Sequence, residues 1–330
     1  MELRHEILKN NNGLEVTLLN LGASIIGVSV PGGDGKRIDL TLGYDDPGDY
    51  TEDKFYFGPT PGRYANRIAG GRFTLNGKDY QLTCNEGRNH LHGGDTGFGK
   101  RYWQTCRTDD IVSFTYYSED GENGYPGNLT ATVSYSLNDD NELIIKYTAS
   151  SDADTVINLT NHAYFNLNGG LKPVLDHELF IDADSFIMTD TENIPTGEIR
   201  KTAGTPMDFS APGKLGDVVF SDYEPIKNFK GLDSCFVIRG SGLRRAAVLT
   251  DPASGRSLEV DTDMPGLQIY TGQGIPAGTK GRGGLVYEAF SGVCLEAQNY
   301  PDAPNHPDFP SAVLKKGETY ETTIIFRFIF

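Results

Sequence analysis

The chain has 330 residues, with 29 Lys or Arg against 45 Asp or Glu, so its formal charge is −16. A field of that sign repels phosphate backbones and excludes non-specific nucleic-acid binding, and no run approaches the ~18 apolar residues of a membrane-spanning helix. The 40 glycines show no triplet period, which sets collagen aside and points to many tight turns.

In chain order, the sequence predicts strands over 15–19 and 24–30, followed by a turn at Pro31-Gly32-Gly33-Asp34-Gly35. Residues 73–82 are strand-like around Asn76-Gly77, whose tolerance of positive φ suits a two-residue hairpin. A strand over 111–117 leads to Asp120-Gly121-Glu122-Asn123-Gly124. Its acids do not fit the alternating ligand positions of a calcium loop, so a solvated hairpin turn is expected. In 128–137, Leu129, Ala131, Val133, Tyr135 and Leu137 alternate with Ser and Thr, the pattern of a strand with one buried face. After a turn at 138–141 come strands over 143–149 and 156–160, a turn at Asp251-Pro252, and strands over 257–262 and 293–298. The C-terminal run places Tyr320, Thr322, Ile324, Phe326, Phe328 and Phe330 on one face, with Ile325 and Ile329 among the residues of the other. No helix-period segment exceeds a turn or two. Length alone allows two domains, but strands and turns continue without a linker, so a single all-β unit of stacked sheets spanning 1–330 is expected.

Residues 1–6 mix charges and lack the apolar stretch of a targeting leader. Cys84, Cys106, Cys235 and Cys294 are widely spaced, with no CxxC pair, and read as buried, reduced thiols of a cytoplasmic protein.

Four segments carry more polar chemistry than packing requires: 62–67, 89–98, 158–167 and 294–302. If the strand at 156 continues, His162 shares a face with Asn158, Thr160 and Tyr164, a row suited to a polyhydroxylated ligand; a satisfied core histidine is the competing reading. His90 reads as structural. His92 precedes Gly93-Gly94, where the lack of side chains permits close approach. A metal held by His92 and His162 lacks a third ligand at recognisable spacing, so none is expected. Glu296 shares a strand face with Cys294 and Gln298, too mixed for simple solvation, against the alternative of a surface carboxylate on an edge strand. Arg67 beside Asn66 fits a salt bridge as well as a ligand contact.

Taken together, these motifs resemble the galactose mutarotase (aldose 1-epimerase) family along the whole chain: GRYANR at 62–67, LHGG at 91–94, NLTNHAYFNL at 158–167, TPMDF at 205–209, GLD at 231–233, LQIYTG at 267–272, LEAQ at 295–298 and PDAPN at 301–305. The resemblance implies a large β-sandwich (supersandwich) with an open cleft for a free hexose such as D-galactose or D-glucose, acting without a cofactor as a monomer or homodimer. By position it implies that Glu296 is the base at the anomeric hydroxyl, that His162 is the acid at the ring oxygen, and that His92 assists there. Asn66, Arg67, Asp233 and Gln268 are implied to hold sugar hydroxyls. Ser234, where relatives often carry His, and Pro61 depart from the pattern. Three other functions compete: a hexose 6-phosphate mutarotase, for which Arg63 and Arg67 are the paired arginines near the motifs; a non-catalytic sugar-binding protein; and a glycosidase using Asp233 and Glu296.

Overall fold

The computed structural model describes residues 2–33 and 35–330. Asp34, at the tip of the turn expected over 31–35, lies outside the described residues. The all-β, stacked-sheet architecture is the one that forms. Nine strands build the largest sheet, in the order Gly213–Lys214, Glu178–Ile181, Arg244–Asp251, Arg256–Thr262, Thr319–Ile329, Glu142–Ser151, Leu129–Leu137, Ile111–Ser118 and Gln104–Thr108. Six build the second, in the order Tyr164–Phe165, Val293–Gln298, Gly266–Tyr270, Asp233–Ile238, Ala183–Thr189 and Pro195–Lys201. A four-stranded sheet runs from His5–Lys9 to Arg37–Asp39. Leu215–Val219 and Glu224–Lys227 are short α-helices of about one turn each.

Alternation explains the large sheet. Leu129, Ala131, Val133 and Tyr135 are fully buried, and across the ladders Leu143 opposes Phe326 and Ile145 opposes Ile324. Each buried Leu, Val, Ile or Phe among these contributes roughly 1.5–3 kcal/mol. The outer face pairs hydroxyls across strands instead, Ser113 with Ser134 at 2.9 Å and Thr115 with Thr132 at 3.0 Å. The main core cluster runs from Leu8 to Phe328 and draws on all three sheets. Asn76 and Gly77 adopt φ of +52° and +76° and join Arg72–Leu75 to Lys78–Gln81 as the expected hairpin.

Five expectations need correction. The strand expected over 156–160 forms a ladder only at Thr155–Val156, against Val313–Leu314, and continues as a single parallel bridge between Asn158 and Tyr64. There Asn158 exchanges backbone bonds with Arg63 and Ala65, and its side-chain amide ties Ala65 to Asn299. Phe330 lies past the last strand and is 42% exposed, because it has no cross-strand neighbour to cover it. Ile329 is also exposed, so of the two apolar residues on the outer face only Ile325 is partly covered. Cys84 and Cys106 are exposed, and only Cys235 and Cys294 are buried; all four are free thiols. Glu122 is not solvated: its carboxylate accepts hydrogen bonds from Arg101, Tyr116 and Ser118.

Candidate active site

Val293–Gln298 is an interior strand, flanked by Tyr164–Phe165 and Gly266–Tyr270, and all six of its residues are buried. The edge-strand reading of Glu296 therefore fails. Glu296 lies opposite Gln268, and Asp233 on the next strand lies opposite Tyr270, so three adjacent strands bring Glu296, Gln268 and Asp233 to one wall. Ser234, one residue on, falls on the other face of its strand, is buried there and is not part of that wall.

Loops supply the opposite wall. Gly93 packs on the Gly62 carbonyl so closely that a Cβ would sit 1.6 Å from its oxygen, which welds 91–94 to 62–67. Asn66 and His92 both take left-handed φ, +68° and +51°, and the His92 N–H donates to the Asn66 carbonyl at 3.1 Å at that junction. His162 is carried by an irregular segment: its N–H donates to Pro59 O at 3.0 Å, and its carbonyl accepts from Gly58 N at 3.1 Å. Asn161 locks the same segment by donating to Gly58 O at 3.0 Å. Of the polar row expected there, His162 and Tyr164 reach the cavity. Asn158 is a structural tie, and Thr160 is buried elsewhere with its hydroxyl unpartnered.

The result is a solvent-open cavity of about 220 Å³ lined by all seven residues singled out from the sequence: Asn66, Arg67, His92, His162, Asp233, Gln268 and Glu296. That is smaller than the ~300–1,000 Å³ pockets of drug-sized ligands. Tyr56, Tyr270 and Glu86 also line it and were not anticipated as site residues. Tyr270 lies within the 267–272 motif, whereas nothing in the residues around Tyr56 marks it. His90 is structural as expected: its Nδ1 donates to Thr83 O at 2.6 Å and its Nε2 accepts from Tyr125 Oη at 2.6 Å. Arg63 is buried against Ser118, Pro126 and Gly127 and is absent from the cavity. Arg67 makes the expected salt bridge, its Nε and Nη2 holding Glu86 bidentately at 2.6 and 2.7 Å, and it also lines the cavity.

At the centre, Glu296 Oε1 lies 3.8 Å from His162 Nε2, and Glu296 Oε2 has no hydrogen-bond partner. Burial raises the Glu296 carboxyl well above the ordinary carboxylate range, and Asp233 adds to the shift while Arg67 opposes it. Burial lowers His162 to about 4. The two shifts cross, so the pair holds one proton that rests on Glu296 beside a neutral His162. Cys294 Sγ sits 3.5 Å from His162 Nδ1 on the far side of the ring. His92 is different. The backbone N–H of Asn66 donates to its Nδ1 at 3.1 Å, so the neutral ring must carry its proton on Nε2. Burial, reinforced by His162 and Arg67, keeps that ring neutral. Asp233 is raised by burial, but Arg67 and the amides of Gln268 and Asn193 work the other way.

One donor atom from each of His92, His162 and Glu296 falls within 4.8 Å of the others, so a third metal donor exists that sequence spacing did not reveal. The donor set does not suit a cation, because the Asn66 N–H occupies Nδ1 of His92 and leaves a protonated Nε2 with no lone pair to offer.

A polar cavity between one wall of β-strands and one of loops, on stacked β-sheets, places the chain among β-sandwich proteins with a site for a small polar ligand. The aldose 1-epimerase family model matches residues 6–327. Galactose mutarotase of Bos taurus is 43% identical over 319 residues, covering 96% of this chain and 91% of the relative. Aldose 1-epimerase of Escherichia coli (strain K12) is 38% identical, covering 98% and 94%. Among solved structures, an aldose epimerase homologue from C. elegans superposes with a TM-score of 0.92 at 33% identity, covering 99% of both chains. The galactose 1-epimerase of Lactobacillus acidophilus gives 0.88 at 31% identity, covering 100% and 95%. The chain belongs to the aldose 1-epimerase family.

Proposed function

We propose that this aldose 1-epimerase interconverts the α and β anomers of a free hexose such as D-galactose or D-glucose, with Glu296 and His162 as its proton-transfer pair. The observation that carries the reading is the 3.8 Å approach of Glu296 Oε1 to His162 Nε2 inside a small polar cavity. Two groups that close can each reach one of the two oxygens sharing the anomeric carbon. Once the pair's single proton has passed from Glu296 to His162, Glu296 takes the proton of the anomeric hydroxyl while His162 gives its own to the ring oxygen, and the ring opens. The aldehyde turns about its C1–C2 bond and recloses on its other face, with both proton transfers reversed. The pair begins and ends with one proton, so no cofactor is consumed. Positioned acid–base groups contribute roughly 10²–10⁴-fold, which suits a reaction that already proceeds in water.

His92 presents a fixed Nε2–H and serves as a neutral hydrogen-bond donor to the ring oxygen. Asn66, Arg67, Asp233 and Gln268 hold hydroxyls; the acceptor atom Oε1 of Gln268 is buried without a partner and suits a hydroxyl donor. Tyr56 and Tyr270 offer ring faces to the apolar side of the pyranose. A free sugar is favoured over a hexose 6-phosphate because Arg63 faces the interior and the fork of Arg67 is committed to Glu86. The reading takes residues 1–330 as one catalytic unit, a monomer or homodimer of the cytoplasm. Four free thiols support a reducing compartment, and no helix among the described residues is long and apolar enough to cross a membrane.

The test is polarimetry of freshly dissolved α-D-galactose. Glu296→Gln and His162→Asn are expected to reduce the rate to near the uncatalysed background. Full activity in either variant rejects the assignment.

A further inference from the structure

The turn between Ala183–Thr189 and Pro195–Lys201 was not marked by any motif, yet it touches both walls of the cavity. Asp190 shapes it by accepting the backbone N–H groups of Glu192 and Ile194 at 2.8 and 3.1 Å. Asn193 follows in the left-handed region at φ +60°, a conformation Asn tolerates better than most residues. Its buried side chain donates from Nδ2 to Asp233 Oδ2 at 2.8 Å, while Gln268 Nε2 donates to Oδ1 at 2.6 Å. Each oxygen of Asp233 thus receives one amide donor and keeps a lone pair for another. The preceding residue, Glu192, accepts from Arg88 at 2.7 Å and Asn89 at 2.9 Å, in the loop that leads to His92. One dipeptide therefore ties the Asp233 wall to the His92 wall.

We infer that Asn193 is a positioning and specificity-determining residue, which orients the Asp233 carboxylate as a two-oxygen acceptor for sugar hydroxyls. The inference rests on the reading of Asp233 as a sugar-binding group. Asn193 does not line the cavity and acts through Asp233. An acceptor pinned at both oxygens discriminates between sugars by the direction of their hydroxyl groups, because a hydroxyl of the wrong configuration leaves a buried lone pair unmet. Losing the Asn193 donor frees the carboxylate to swing and weakens sugar binding, while the distance between Glu296 and His162 is untouched.

The experiment compares Asn193→Gly, which accepts the positive φ without strain, Asn193→Asp, which keeps the shape but turns the donor into an acceptor, and Asp233→Asn. Each is assayed by polarimetry on galactose and glucose, with thermal unfolding as a check on the fold. Both Asn193 variants are expected to raise KM about 10-fold, the lower end of what a hydrogen bond to a charged group is worth, with kcat retained and the galactose-to-glucose ratio of kcat/KM altered. If Asp233→Asn raises KM but both Asn193 variants leave it and the sugar ratio unchanged, the inference is overturned and the site stands. A loss in kcat at constant KM also overturns it. An unchanged KM in Asp233→Asn removes the role of Asp233 in sugar binding, and this inference falls with it.

Discussion

The central strands of the nine-stranded sheet and those of the six-stranded sheet obey opposite rules. In Leu129–Leu137, Glu142–Ser151 and Thr319–Ile329, apolar side chains face inward and polar ones pair across the outer face, as Arg327 does with Glu142 and Glu259. In Gly266–Tyr270 and Val293–Gln298, Gln268, Glu296 and Gln298 are buried, and each has at least one polar atom without a partner. Such atoms cost roughly 1–3 kcal/mol apiece. The first region gains stability from its alternation. The second gives some of it up, and two of its unpartnered oxygens, on Gln268 and Glu296, belong to residues that line the cavity.

Stability measurements break this comparison most forcefully. Ile145→Ala, in the structural sheet, is expected to cost about 2–5 kcal/mol of unfolding free energy, with kcat per folded molecule unchanged. Glu296→Gln should move the other way and stabilise the protein by about 0.5–2 kcal/mol at neutral pH. The sign follows from the raised carboxyl: its folded pKa lies above the unfolded value, so the folded state binds the proton more tightly. The contribution of Glu296 to stability therefore rises as pH falls through the raised value and levels off below the unfolded one. The Gln variant should lack that pH dependence. Chemical denaturation of the three proteins checks both signs, and a destabilised Glu296→Gln contradicts the trade.

A smaller effect sharpens the roles within the cavity. Because the pair works with one proton, kcat/KM should fall on the acid side near pH 4 as it takes up a second proton, and on the alkaline side as it loses its only one. His92 is held neutral with its Nε2–H fixed, so His92→Asn should cost about 10-fold in rate without moving either limb. A limb that shifts in His92→Asn gives that histidine a proton-transfer role.

The same contrast explains what was legible in the sequence. Alternation identified Leu129–Leu137 residue by residue, and Asn76-Gly77 fixed a hairpin through its backbone preference. Ala183–Thr189, Asp233–Ile238 and Gly266–Tyr270 went unpredicted, because strands buried on both faces, with functional polar groups among them, show no period of two. The strand at 156 was drawn too long for the converse reason: Asn158 and Thr160 imitate alternation while serving a tie and a buried hydroxyl. All seven expected site residues, each in a local motif that carries the family resemblance, line one cavity, where strand pairing and loop packing bring them together. Tyr56, Glu86 and Asn193 were missed because their placement depends on a left-handed φ, an ion pair with Arg67 and a turn shaped by Asp190, none of which leaves a local pattern.

The most direct measurement is a double-mutant cycle on the central pair, reading the initial polarimetric rate with α-D-galactose for Glu296→Gln, His162→Asn and the two combined. Groups that pass one proton between them act as a unit, so the double variant should be about as slow as the slower single. Losses that multiply, as for two independent groups, contradict the shared-proton account.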